Sequence, residues 1–201
     1  MSEFTYEKED IKVSLERYEW DNLWWEETGI KDSDRVLVIG DSISCGYRRK
    51  ISECSGMKLI ADGLGTSKGI DNPLYFKLVN YMLENYSNYK YVIVNNGLHG
   101  WHLSEDEYEK FYRNFLEMLS EKFDKDKIYI ALTTPLQSDE RNARVIERNK
   151  RAEKLSHEFG FKALDLYSLL ESKADLYTPD GVHLVDDGYI LIAKKILEYL
   201  K

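Results

Sequence analysis

Cysteine is almost missing from this 201-residue chain, with Cys45 and Cys54 as its two thiols. Two are too few for a disulfide framework, and a reduced, cytoplasmic setting is the simplest expectation. Proline is nearly as scarce, at three residues, and no Pro/Gly/Ser-rich linker divides the chain. One domain over residues 1–201 is therefore expected, with residues 1–34 as an N-terminal extension packed on its core. Basic residues are outnumbered, 28 Lys and Arg against 36 Asp and Glu, for a net charge of −8. Nothing clusters them into the basic face of a nucleic-acid binder. No apolar run approaches the roughly 18 to 20 residues that span a bilayer. The first ten residues are polar and acidic, without the basic-then-apolar order of a secretory signal. Neither nucleic acid nor membrane is thus an expected partner, and oligomeric state is not legible. What remains is a composition of 43% hydrophobic and 13% aromatic residues, that of an acidic globular protein.

Short apolar runs alternate with longer amphipathic stretches. The runs are Arg35–Gly40, Met57–Ala61, Tyr91–Asn95, Lys127–Leu132 and Phe161–Asp165. Near-continuous hydrophobicity over about five residues suits strands covered on both faces, as in parallel sheets. Pro73–Glu84, Glu105–Phe123, Asp139–Phe159 and Asp187–Leu200 read as helices. In the second of these, Tyr108, Phe111, Tyr112, Phe115, Leu116 and Leu119 form one apolar stripe. Ser104 and Glu107 have the spacing of a capping box, and Gly160 stands where a left-handed helix terminator belongs. The alternation predicts a three-layer α/β/α sandwich with a five-stranded parallel sheet of the flavodoxin-like kind. Residues 4–30 carry Trp20, Trp24 and Trp25 and are read as a hydrophobic face at helical spacing, with one tryptophan as an alternative wall for a sugar-like ligand.

Ligand sites in such folds lie beyond the carboxyl ends of the strands. After the first run comes Gly40-Asp41-Ser42-Ile43-Ser44. A serine there exposes its hydroxyl at the sheet edge and has its N–H at a helix N-terminus; the alternative is a plain N-cap. Late in the chain, Asp180 and His183 in Pro179-Asp180-Gly181-Val182-His183 are three apart on a loop. The carboxylate can orient one imidazole nitrogen while the other acts as a base, so Ser42, His183 and Asp180 can form a triad. Cys45 is the competing nucleophile and is read as packing. The third run ends in Asn95-Asn96-Gly97-Leu98-His99-Gly100-Trp101, a donor-rich stretch in which the asparagines can instead tie down the loop. His99 and His102 lack companions at metal-ligand spacing, so no metal is expected. The glycines from Gly63 to Gly69 read as a loop able to present a backbone N–H, and they match neither nucleotide fingerprint.

Together, Gly40-Asp41-Ser42-Ile43 and Asp180-Gly181-Val182-His183 resemble the first and last blocks of the SGNH/GDSL hydrolase superfamily. The resemblance implies that fold and an acyl-enzyme route for ester hydrolysis, with Ser42 as nucleophile, His183 as base and Asp180 as its partner. It also implies an oxyanion hole. Here the usual third block, Gly-x-Asn-Asp, is replaced by Gly97-Leu98-His99-Gly100, which puts His99 in the asparagine's place, with Asn96 as a second candidate. For the loop amide, Gly65 is the best match, with Gly63 and the Thr66–Ser67 amides as alternatives, beside the Ser42 N–H. Trp101 is expected to bind substrate by stacking on a sugar ring. The expected substrate is a short acyl ester, acetyl above all, of a carbohydrate or small metabolite, and no cofactor is required. Acyl transfer through the same triad, or non-catalytic carbohydrate or partner binding, are the alternatives.

Overall fold

A computed structural model describes residues 4–7 and 12–200 of the chain. Strands β1 (Phe4–Glu7) and β2 (Lys12–Leu15) form a separate antiparallel ribbon. The main sheet contains β3 (Asp21–Trp24), β4 (Asp34–Gly40), β5 (Leu59–Thr66), β6 (Tyr91–Val94), β7 (Ile128–Ala131) and β8 (Lys162–Leu164). Its order is β3-β5-β4-β6-β7-β8. All neighbours are parallel except the β3–β5 pair. The five expected parallel strands are therefore present, and the sheet has six strands because the N-terminal segment adds an antiparallel edge.

Alternation along β4 explains the layers. Val36 and Val38 point to one face, where they pack with Ile43, Tyr47 and Ile51 of α1 (Ser42–Cys54) and Ile192 and Ile196 of α6 (Asp186–Tyr199). Leu37 and Ile39 point to the other, meeting Tyr75, Val79 and Met82 of α2 (Pro73–Asn85) and Tyr112, Phe115 and Leu119 of α3 (Glu105–Ser120). The long helix α4 (Asp139–Phe159) packs against α3, β7 and β8, and α5 (Leu166–Leu170) follows β8. Ser104 and Glu107 do form the capping box of α3, and Gly160 ends α4 at φ +71°. Among the described residues no helix is long and apolar enough to cross a membrane.

Two local expectations are corrected. The segment holding Trp20, Trp24 and Trp25 is not helical: β3 pairs Asp21 with Thr66 and Trp24 with Gly63. The four residues Asp21-Asn22-Leu23-Trp24 show no alternation that would mark a strand, and the ladder to a distant strand decides the outcome. Likewise β5 does not stop at Ala61 but continues to Thr66, so Gly63 and Gly65 are strand residues rather than loop residues.

Candidate active site

The chain reverses its direction of winding at β4: β5 lies on one side of it and β6 on the other. The crevice beyond the carboxyl ends of these strands is where the site forms. Gly40 ends β4, Asp41 caps α1, and Ser42 is its first helical residue. The N-cap role considered for Ser42 thus belongs to Asp41, whose Oδ1 accepts from the N–H groups of Ile43 (2.9 Å) and Ser44 (3.4 Å). Ser42 keeps its hydroxyl for other partners, and its N–H is one of the first-turn amides that have no acceptor within the helix.

That hydroxyl lies 2.8 Å from Nε2 of His183, and Nδ1 of the same ring lies 2.7 Å from Oδ2 of Asp180. The turn carrying both residues is tightly specified. Thr178 and Leu184 flank it through the N–H of Thr178 to the carbonyl of His183 (2.8 Å) and the Tyr177–Leu184 bridge. Oδ1 of Asp180 accepts from the N–H groups of Val182 (2.8 Å) and His183 (2.9 Å) and from the Thr178 hydroxyl (2.8 Å). Burial alone would raise this carboxyl, but His183 and the three Oδ1 donors hold it well below the usual carboxylate range. Three side chains separated by as many as 141 positions are joined in one hydrogen-bonded row.

Ser42, Asp180 and His183 open onto a cavity of about 440 Å³ that His99, Glu16, Trp20, Tyr18 and Arg141 also line. Of the three tryptophans of the N-terminal segment, Trp20 is the one that reaches this cavity, while Trp25 packs on the core against Tyr81. Nδ1 of His99 is 2.7 Å from Oε1 of Glu16, and the Trp20 ring meets the imidazole edge-on at 6.4 Å. His102 turns elsewhere, to Asp71 at 2.9 Å.

The other expected site residues do not line this cavity. Asn96 is 1% exposed and its amide donates to the Lys68 carbonyl at 3.1 Å, tying the loop after β6 to the end of β5. Gly65 lies opposite Gly40 on one side and Asn22 on the other, inside the sheet. A methyl group there would stand 2.1 Å from Sγ of Cys45, so the glycine lets α1 sit close on β5. The same contact places Cys45 as a packing residue, and burial raises its thiol above the ordinary range. Trp101 does not line the cavity. Its ring is instead surrounded by the guanidinium groups of Arg141, Arg144 and Arg148, with centroid distances of 5.3, 5.2 and 4.7 Å. These guanidinium groups make cation–π contacts that tie the ring to α4.

Two residues that contact the His99 stretch lie outside the sequence motifs. Arg148 is fully buried and donates to the carbonyls of Gly97 (3.1 Å), His99 (2.6 Å) and Gly100 (2.8 Å), so it holds the backbone that presents His99. Its spacing with Arg141 and Arg144 on one side of a helix was a usable signal, since a charged stripe beside Val145 and Ala152 must find partners indoors. Glu16 gives no such signal, because its partner lies 83 positions away.

The chain has the fold of the GDSL/SGNH hydrolases. Solved structures similar to it include an acetyl xylan esterase, AlAXEase, at 23% identity and TM-score 0.66, covering 82% of this chain and 98% of that one. A member of the lipolytic G-D-S-L family from Veillonella parvula aligns at 21% identity and TM-score 0.68, covering 83% and 97%. A lipase/acylhydrolase from Enterococcus faecalis aligns at 16% identity and TM-score 0.67, covering 82% and 94%. No family model matches the sequence, and no curated protein matches it significantly.

Proposed function

We propose that the protein is a serine esterase acting on short acyl esters through Ser42, His183 and Asp180. The observation that carries this reading is the unbroken row from Ser42 Oγ through His183 to Asp180, at 2.8 and 2.7 Å, facing an open cavity. His183 takes the Ser42 proton as the hydroxyl oxygen attacks the ester carbonyl, then gives it to the departing alcohol. Asp180 fixes the ring so that Nε2 faces Ser42 and stabilises the imidazolium that forms. The oxyanion is held by the Ser42 N–H at the start of α1 and by His99. Water then attacks the acyl-enzyme by the same route in reverse.

The preferred substrate class is an acetylated carbohydrate. Trp20 and Tyr18 give the cavity an aromatic wall suited to a sugar ring, and a structural neighbour is an acetyl xylan esterase. Ser42→Ala is expected to lower p-nitrophenyl acetate turnover by at least about 10⁴-fold, because triad members act as a unit. Its circular dichroism spectrum and melting temperature should match the parent. Equal rates in highly purified variant and parent would overturn the assignment.

A further inference from the structure

An asparagine amide donates a hydrogen bond at any pH, whereas an imidazole nitrogen donates only while it carries a proton. This distinction governs His99. A carboxylate can only accept, so the Nδ1 that lies 2.7 Å from Glu16 Oε1 carries a hydrogen. In the neutral ring Nε2 would then be a bare lone pair, which repels an oxyanion. Nε2 can donate only when the ring is an imidazolium.

The surroundings favour that charged form. The side chains of His99 and Glu16 are 12% and 17% exposed, so water screens the pair weakly. Glu19, from the same N-terminal segment, and Asp41, from the start of α1, add negative charge. Burial works against the cation, but these acids outweigh it and the His99 pKa is raised. Lys68 is occupied by Asp21 at 2.8 Å and by Glu19 at 3.6 Å. Arg17, Tyr18, Arg141, Asp180 and His183 are the other charged or titratable groups on the cavity wall, and the buried Arg148 guanidinium donates to the His99 carbonyl at 2.6 Å. Nε2 of His99 has no protein partner among the described residues.

We propose that Glu16 is a positioning residue that keeps His99 as an imidazolium, so that Nε2–H donates to the oxyanion formed at Ser42. The inference rests on the esterase reading above. His99 keeps its proton throughout: the one proton that moves passes from Ser42 to His183 and on to the leaving alcohol. The N-terminal segment is thus part of the site, and the enzyme loses its oxyanion donor as pH rises through the His99 pKa.

The test compares pH profiles of kcat and KM for p-nitrophenyl acetate in the parent, Glu16→Gln, His99→Asn and the double variant, each checked for folding by circular dichroism. Glu16→Gln is expected to lower kcat about tenfold or more near neutrality, with KM within about twofold, and to move the alkaline limb to lower pH. His99→Asn, whose amide does not titrate, is expected to lose that limb, and adding Glu16→Gln to it should change kcat by less than about twofold. An alkaline limb that stays in place in folded Glu16→Gln, or that persists in His99→Asn, overturns the proposal. So does an equal loss on adding Glu16→Gln to either background. If Glu16→Gln does not fold, the limb in His99→Asn decides alone. A parent that neither turns over ester nor reacts at Ser42 with a fluorophosphonate refutes the esterase reading itself.

Discussion

Asp180 shows how much a single side chain does in this site. One oxygen holds the turn through three donors, and the other holds the imidazole. Its depressed pKa has a definite sign: the carboxylate contributes stability that is present above its unfolded value, about 4, and is lost as pH falls through the lower folded value. Asp180→Asn is expected to lower kcat by about 10⁴-fold, since the amide favours the wrong ring tautomer. It should also lower the melting temperature near neutrality, by an amount that shrinks as pH falls from about 4 toward the lower folded value, because the unfolded parent chain takes up the proton first. A deficit that stays constant into strong acid would contradict this. Asp180, His183 and Ser42 were legible in the sequence because each lies in a short block whose spacing carries its chemistry. Glu16 and Thr178 were not, because a lone glutamate or threonine looks the same whether it faces solvent or a histidine.

At the scale of elements, the fit between α1 and β5 governs where Ser42 sits. Gly65 allows Cys45 to lie against the strand, with a gap too small for a methyl group. Gly65→Ala is expected to destabilise the protein by about 1–3 kcal/mol in urea unfolding. Adding Cys45→Ala, which removes the clashing sulfur, should recover most of that loss. Cys45→Ala alone should retain esterase activity, as expected of a packing residue. An unrepaired double variant would show that the clash lies with the backbone, and an inactive Cys45→Ala would reopen the question of the nucleophile. The parallel strands and long helices were readable because burial on both sheet faces and the 3.6-residue period leave long, redundant patterns. The far end of β5 was not, since glycines inside a strand look like a turn unless a helix is known to lie upon them.

Over the whole molecule, the N-terminal segment completes both the sheet and the cavity. Through β3 it pairs with β5, through Asp21 it holds Lys68 and Thr66, and through Glu16 and Trp20 it surrounds His99. These are all long-range contacts, which is why its role is not legible in residues 1–34 alone, and why the sequence does not show that Trp101 is surrounded by α4 arginines. By contrast, the placement of Ser42 and the Asp180–His183 turn at one rim follows from the parallel arrangement of the strands, which the alternation of elements already implies. The most direct test of that convergence is stoichiometric fluorophosphonate labelling followed by peptide mapping in the parent and in His183→Ala. One label per chain on Ser42 is expected, with labelling slowed by at least about 10³-fold in the variant. A label on Cys45 or another residue, or equal rates in the two proteins, would contradict the account.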